Sequence, residues 1–313
     1  MRLHGRRESG DVRNAGNSIV SSSTIAIAIA TAGRRDILAQ TISVLDRQIR
    51  GADELLVCPA RPEDVDMQGL SLYRGTVQVV QGSIGSSHQR NAMVAASSAD
   101  IMVFFDDDFL PAANYLEEVE RLFAMDPLIM VATGHMIEDG AQGAGLEFHE
   151  ALEILETDEF AGSPAVEPIF NGYGCNMAIR MAPVRRFGVC FDEDLPLYAW
   201  LEDLDFSRQL AAHGKIVRAS QLRGVHMGTK KAGRSPGKRL GYSQVANRIH
   251  IHRKGNMSRY QAWDGIVRNF AANLAKSARP EPWVDRRGRL LGNFLAFKDL
   301  LTGRINPKKI LDM

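Results

Sequence analysis

A chain of 313 residues, 45% of them hydrophobic and 24% charged, has the make-up of a soluble globular protein able to bury a sizeable core: one large α/β domain with appendages. Cys58, Cys175 and Cys190 are an odd number without CxxC spacing, which argues against a disulfide framework or a zinc site and predicts a reducing cytoplasm. The chain has no run of 18 apolar residues, and Met1 to Asn17 lacks the apolar stretch of a signal peptide, so neither a membrane span nor export by that route is expected. The formal net charge of +1 hides a segregation: Asp100 to Glu159 holds sixteen acids and a single Arg, whereas Gly214 to Tyr260 holds twelve Lys or Arg and no acid. A basic block facing an acidic metal site suits a polyphosphate bound through a cation. Nucleic acid is not expected, because no recognised motif or aromatic interleaving accompanies the basic block.

Residues 1–22 are polar and rich in Gly, Ser, Asn and Arg, which predicts a disordered tail. Ser23 to Ala30 alternates Ile with Ala, giving a first strand with one bulky face and one small enough for a helix to approach. Thr31 to Arg35 makes a Gly-containing turn, and Asp36 is the expected cap of a helix carrying Ile37, Leu38, Thr41, Ile42 and Leu45. Glu54–Val57 and Val77–Val80 are further strands, the second leading through Gly82 and Gly85 into a helix from about His88 to Ser97. Strands alternating with helices predict a parallel sheet with right-handed crossovers.

Ile101 to Phe105 is a run of five apolar residues, read as a strand buried on both faces, and it ends in Asp106, Asp107 and Asp108. Mutual repulsion among three carboxylates at a strand end is most directly offset by a divalent cation with oxygen ligands. Leu110-Pro111 ends the strand and Asn114 is placed to cap a helix from Tyr115, so the carboxylates lie where open α/β sheets bind ligands.

Farther on, Ile129 to Thr133 reads as a strand, Gly140 to Gly145 as a flexible loop, and Glu147 to Glu159 as an amphipathic helix. Gly172 and Gly174 precede a short strand, where backbone can approach a ligand closely. Trp200-Leu201-Glu202-Asp203-Leu204-Asp205 leads into a helix expected over Ser207 to His213, and His226 stands between Gly224 and Gly228 just before the basic segment.

Taken together, these stretches resemble family 2 glycosyltransferases of the GT-A fold, from about Thr24 to Thr229. Ile29 to Arg34 is similar to the family's opening strand and turn, with Thr31 and Arg34 matching; Gln89-Arg90-Asn91 is similar to its Arg-Asn helix start; Phe105 to Asp108 resembles its DXD motif. Gly174 to Arg180 resembles the acceptor-side strand, and Phe187 to Glu193 followed by Glu202 to Asp205 resembles the family's Gly-Gly-Phe-Asp-Glu and Glu-Asp-x-Asp pair.

The resemblance implies a mixed, mostly parallel sheet flanked by helices, with residues 23–229 as the catalytic domain: 23–135 for the nucleotide-sugar and 136–229 for the acceptor. Beyond the resemblance, residues 230–262 read as a basic flexible lid and connector or as a solvated loop, and 263–313 as a helical extension. Implied metal ligands for Mn or Mg are Asp106, Asp108 and His226, with Asp106 also toward the ribose. Donor-binding residues are Thr31, Arg34, Gln89, Arg90, Asn91 and Asp107, with Lys230 and Arg234 from the lid; acceptor-binding residues are Gly172, Gly174, Trp200 and Glu202. Asp203 is the implied base of an inverting, single-displacement transfer from a nucleotide-diphosphate sugar to a hydroxyl of a glycan or lipid-linked glycan, in bacterial-type polysaccharide assembly. The second strand ends Val57-Cys58-Pro59-Ala60 where the family usually carries Val-Asp-Asp-Gly-Ser, which leaves the base open among UDP, dTDP and GDP. In the C-terminal third, Leu290, Leu291, Phe294, Leu295, Phe297 and Leu301 form an apolar stripe flanked by arginines and lysines. It reads as a helix packed on the core or as an interfacial helix at the inner face of an anionic membrane.

Three other readings share parts of this pattern, and of these a haloacid-dehalogenase-type phosphatase needs Asp-x-Asp-x-Thr early in the chain, whereas Leu110 occupies the Thr position here and the strand is not the first. A sugar nucleotidyltransferase has the same general fold but opens with a Gly-rich loop carrying Arg and Lys, which Ala30 to Arg35 does not reproduce. A binding module for metal and anionic ligands accounts for the carboxylates and the basic segment but not for Glu202-Asp203.

Overall fold

The computed structural model describes residues 23–160, 162–229 and 236–313. In chain order the elements are β1 (Ile25–Thr31), α1 (Arg35–Leu45), β2 (Glu54–Pro59), α2 (Met67–Leu70), β3 (Val77–Val79), α3 (Ser86–Ala96), β4 (Ile101–Asp106), β5 (Phe109–Pro111), α4 (Tyr115–Met125) and β6 (Ile129–Asp139). They continue with α5 (Phe148–Thr157), β7 (Val166–Pro168), β8 (Asn176–Arg180), α6 (Met181–Phe187), α7 (Glu202–Leu210), β9 (Lys215–His226), α8 (Gly237–Arg253), α9 (Arg259–Lys276) and α10 (Arg286–Leu301). The nine strands form a single mixed sheet in the order β3-β2-β1-β4-β8-β6-β9-β5, with β7 also on β9.

The first four strands of that order are parallel, as alternating strands and helices predict. Beyond β4 the sheet turns antiparallel through β8, and β9 then pairs parallel with β6 and antiparallel with β5. Both faces of the central strands are covered. The Ile face of β1 packs with α1, α4 and Phe105, while its Ala face lies over Met93, Phe104 and Phe191. The bulky and small faces of the Ile-Ala alternation thus meet different layers.

Several local expectations shift. Helix α1 begins at Arg35, so Asp36 lies in its first turn and Arg34 occupies the cap position, freeing the Arg34 side chain for the site. Asn114 does precede α4, but its side chain makes no capping bond. Residues Gly140–Gln142 form a 3-10 turn rather than an open loop, because Gly140 packs against the Met227 carbonyl so closely that a Cβ would sit 2.2 Å from it. Helix α7 starts at Glu202, placing both Glu202 and Asp203 in its first turn.

The largest difference is α8, an ordered helix where the sequence suggests a mobile lid and connector. Its amphipathic signal is weak because the buried face carries Gly241, Ser243, Gln244 and Asn247 alongside Tyr242, Val245 and Ala246. These small and polar residues are explained by its neighbours. Gly241 and Gly292 let α8 and α10 touch backbone to backbone, where a Cβ would lie 2.0 Å from the Arg289 carbonyl and 2.1 Å from the Lys238 carbonyl. Asn273 on α9 donates to Gln244 (2.8 Å) and Asn293 (2.9 Å), tying the three helices through buried amides. Lys230 and Arg234 lie outside the described residues.

The apolar stripe of α10 is partly packed, through Ala296, Leu295 and Phe297, and partly exposed. Leu291, Phe294 and Leu301 remain exposed, and on α9 so do Tyr260, Trp263, Val267 and Leu274. No helix among the described residues is long and apolar enough to cross a membrane.

Candidate active site

The site grows from sheet register. Because β9 runs between β6 and β5, its last residue, His226, pairs across one side with Asp139 and across the other with Phe109, the residue after Asp108. The β1–β4 register sets Ala30 beside Asp106, which brings Thr31 and Arg34 to the three aspartates. At the opposite side, Cys175 ahead of β8 accepts the Asp106 backbone N–H (3.1 Å) and carries Gly174 toward the N-terminus of α7.

The three aspartates divide the work. Asp107 is fully buried and turned into the protein: its carboxylate accepts from Thr31 Oγ1 (2.6 Å) and Arg34 Nε (3.1 Å) and pairs with Arg34 Nη2 (2.6 Å). Asp108 pairs with Arg34 Nη1 (3.1 Å) and accepts the Thr229 N–H (2.9 Å) through Oδ2. Its other oxygen, Oδ1, is buried without a hydrogen-bond partner and faces His226 Nε2 at 3.4 Å. Asp106 Oδ2 lies 4.0 Å from the same nitrogen.

His226 Nδ1 lies 2.8 Å from Asp139 Oδ1, which fixes the ring so that Nε2 points at Asp106 and Asp108. An orphaned carboxylate oxygen, a second carboxylate and an oriented imidazole, all grouped within 4.8 Å, fit a divalent ion of the Mn or Mg type. Asp139 and Thr229, which position this group, carry no motif; only the strand pairing reveals them.

The charge states agree with such a site. Burial favours a neutral His226, but its contacts with Asp108 and Asp139 outweigh it and raise the imidazole to about 10. Burial also opposes ionisation of Asp108, yet Arg34 and His226 hold its carboxyl below the ordinary range. Burial pushes Asp107 up to about 7, against Arg34 and with the help of Asp108. Without a metal the site therefore keeps a proton on His226, and a metal must displace it. Metal binding is expected to release close to one proton per ion at pH 8, with affinity rising about tenfold per pH unit below the His226 value. Calorimetric titration of Mn²⁺ in two buffers of different ionisation enthalpy checks this; equal heats in both would sink it.

Beside the aspartates opens a cleft of about 670 Å³. Thr31, Arg34, Gln89, Arg90, Asp106, Asp108, Gly174, Trp200, Glu202, Asp203 and His226 all line it, so most residues singled out from the sequence converge. Tyr173, Tyr198 and Leu197 join them without a sequence signal beyond the glycines flanking Tyr173.

Asp203 accepts the Gly174 N–H (2.9 Å), and burial raises its carboxyl above the usual value despite that bond. Glu202 is in direct contact with Arg90, and burial nonetheless pushes its carboxyl up to about 8, with Arg90 opposing. Arg90 in turn reaches Asp106 (3.3 Å) and the Gly174 carbonyl (3.2 Å), and sits 5.7 Å over Phe104 and 5.5 Å over Phe191. Its guanidinium is thus committed to joining the α7 carboxylates to the aspartate strand.

Some expected ligand residues are occupied otherwise. Asn91 exchanges hydrogen bonds with the Phe191 backbone (2.9 Å each way) and reaches Glu193, away from the cleft. Gln89 donates to the carbonyls of Thr31 (3.0 Å) and Cys58 (2.6 Å), stitching the ends of β1 and β2. At Gly172 a Cβ would meet Met177 and Val131 at 2.9 Å, so this glycine serves packing, whereas at Gly174 it would meet the Arg90 guanidinium.

The cleft wall from Leu197 to Leu201 is strained. Leu197, Ala199 and Leu201 have φ of 59°, 51° and 75°, each costing roughly 1–3 kcal/mol for a residue with a Cβ. The Ser86 N–H donating to Leu197 O (2.8 Å) and Asn247 Nδ2 donating to Trp200 O (2.8 Å) hold the segment in place.

No protein-family model matches the sequence, and no curated protein matches it. Among solved structures, the chain is similar to the mannosyltransferase PcManGT from Pyrobaculum calidifontis, in complex with GDP-Man and Mn²⁺, at 14% identity and a TM-score of 0.56. The match covers 93% of this chain and 86% of that one. It is also similar to S. aureus TarS at 15% identity and a TM-score of 0.50, covering 91% of this chain and 55% of TarS, so the chain spans little more than half of that protein. The mixed sheet flanked by helices is therefore a glycosyltransferase fold.

Proposed function

We propose that the protein is an inverting glycosyltransferase of the family 2 type, moving a sugar from a nucleotide-diphosphate sugar to a hydroxyl of a glycan acceptor. The observation that carries this reading is the placement of Asp203 in the same cleft as the Asp106–Asp108–His226 group, a base and a diphosphate-side metal set on one substrate path. A divalent ion held by those three residues supplies positive charge for the departing nucleoside diphosphate. Arg34 keeps Asp107 and Asp108 from repelling each other and so holds the set in shape.

In the transfer, the acceptor oxygen forms its bond to the anomeric carbon as the bond to the diphosphate oxygen breaks, and the acceptor proton passes to the Asp203 carboxylate. The Gly174 N–H orients that carboxylate, and Arg90 with Glu202 anchors its helix turn to the aspartate strand. Both glycosidic electrons leave with the diphosphate, so no covalent intermediate is required.

The reading is tested by thermal stabilisation with UDP, dTDP, GDP, CDP and ADP, each with and without Mn²⁺. One nucleotide that stabilises only with the metal is expected. No shift with any of them, in folded protein, would favour the metal- and anion-binding module instead.

We further place the enzyme at the inner face of a membrane, acting on lipid-linked acceptors. Supporting this are the exposed Tyr260, Trp263 and Val267 on α9, with Leu291 and Phe294 on α10, flanked by Arg268 and Lys298. Sedimentation with vesicles containing phosphatidylglycerol is expected to retain the native protein and to lose the Trp263→Glu, Val267→Glu double variant. Equal sedimentation of the two would remove the membrane contact.

A further inference from the structure

Among the described residues lining the cleft, Arg239 and Arg248 are the charged groups that the transferase reading leaves without a task, and of the two Arg239 is already hydrogen-bonded to Met313. Arg248 projects from α8 beside Trp200, on the cleft wall to which Pro236 and Arg239 also contribute. Its guanidinium lies 5.1 Å over the Trp200 ring, and on α9 a Cβ at Gly265 would fall 2.2 Å from its Cζ. The group is therefore packed between an aromatic face and a helix backbone that only glycine leaves open, which fixes the plane of the guanidinium.

What it lacks is a counter-charge. Arg34 and Arg90, the other arginines reaching deep into the cleft, each pair with two carboxylates. Arg248 has no carboxylate within ion-pair distance among the described residues, and its Nε is buried with no hydrogen-bond partner. Desolvation disfavours its charge, and Asp264, the acid that supports it, is ion-paired with Arg268 instead. An arginine remains a cation under these conditions, and a half-buried cation held rigid, with its Nε shut off from solvent, is better satisfied when something outside the protein supplies an anion.

The neighbours point the same way. Arg239, on the same wall, spends its hydrogen bonds on the Met313 carbonyl and brings a second positive charge. Trp200 is held in the strained segment described above by Asn247, one residue before Arg248. The strain and the stack thus form one unit. The strands bring the acidic metal group to the cleft, and α8 brings Arg239 and Arg248 to it.

We propose that Arg248, stacked on Trp200, binds an anionic group carried by the acceptor, a phosphate or a carboxylate, on the cleft wall that α8 contributes. The proposal rests on the transferase reading for the word acceptor, while the anion site itself does not. A planar, pre-oriented fork suits two oxygens of a phosphate or carboxylate, and the Trp200 face beside it suits a sugar ring or alkyl segment of the same molecule. A bare spacer between Trp200 and α9 would need the arginine's shape but not its charge.

Trp200 supplies the readout. In full-length protein carrying Trp263→Phe and Trp283→Phe, Trp200 is the sole tryptophan. Its emission is followed in EDTA during titration with glycerol 1-phosphate in one arm and glucuronate in the other, against sodium chloride of equal ionic strength. A saturable change with at least one anion is expected, weakened at least tenfold by Arg248→Gln and less by Arg248→Lys; the arm that responds identifies phosphate or carboxylate. A response no different from chloride in both arms overturns the proposal, as does Arg248→Gln binding the anion as tightly as the parent. Metal-dependent stabilisation by nucleoside diphosphates serves as the separate control: its absence in the parent protein sinks the transferase reading, whereas its presence with no anion response sinks only this one.

Discussion

Asp203→Asn is expected to lower turnover by about 10²- to 10⁴-fold, the usual contribution of a positioned general base. The amide is nearly the size of the carboxylate and keeps an oxygen to accept the Gly174 N–H, giving up only the Leu204 N–H bond to the other oxygen (2.7 Å), so the first turn of α7 is retained. Metal-dependent nucleotide binding is expected to match the native protein, because Asp203 is not among the residues grouped for the ion. The native enzyme should lose activity as pH falls, since a protonated Asp203 cannot take the acceptor proton. Burial raises its carboxyl, so this acid limb should lie above the ordinary aspartate range. Steady-state rates of the native protein and the variant across pH check all of this. Native-like turnover in folded Asp203→Asn would remove Asp203 as the base.

The second large effect is expected at Asp108. Asp108→Asn removes one of two carboxylates from the metal group and half of the negative charge facing Arg34. Metal-dependent nucleotide stabilisation should vanish, and turnover should fall by about 10³-fold or more, the scale of losing a main electrostatic element at the departing diphosphate. The variant should still fold, since Arg34 keeps both of its contacts with Asp107 and the Thr229 N–H can donate to the amide oxygen. Thermal melts with and without Mn²⁺ separate the two consequences. Stabilisation by nucleotide and Mn²⁺ that survives in Asp108→Asn would place the ion elsewhere. His226→Gln offers a graded comparison, because it removes a nitrogen ligand and the proton that competes with the metal, while leaving Arg34 and both aspartates untouched.

The segregation of charge takes on a different meaning in three dimensions. The acidic block contributes Asp106, Asp108 and Asp139 to one group, but its acids on α5 are exposed and those on α4 half-buried. The basic block contributes Arg239 and Arg248 to the cleft wall, through an ordered helix rather than a loop. Linear charge counts could not separate these cases, because a helix turns its charges to every side.

Much of the site was nevertheless legible in one dimension. Ile101 to Phe105 had to be a strand buried on both faces, since only such a strand carries five consecutive apolar residues straight into carboxylates, and β4 runs Ile101–Asp106. The Ile-Ala alternation announced β1, and the Thr31-to-Arg34 turn sits against the aspartates as that register requires. Glu202-Asp203 was conspicuous because adjacent acids beside a tryptophan have no packing rationale.

What the sequence determined by itself was therefore local: which runs are strands, where they end, and which unusual residues stand at those ends, all consequences of periodicity and buried charge. The tertiary structure alone decided how those ends are shared. Three neighbouring aspartates face different ways, so that Asp107 serves Arg34 while Asp106 and Asp108 face His226. Asn91 and Gly172 proved to hold the fold, because hydrogen-bond partners and close contacts far along the chain, Phe191 and Met177, claim them first. Asp139 joined His226 only because β9 runs parallel to β6, and Arg248 met Trp200 only because α8 folds back over the strained segment. Such pairings depend on strand order and helix packing, which are set by the whole core at once and leave no mark at fixed spacing in the chain.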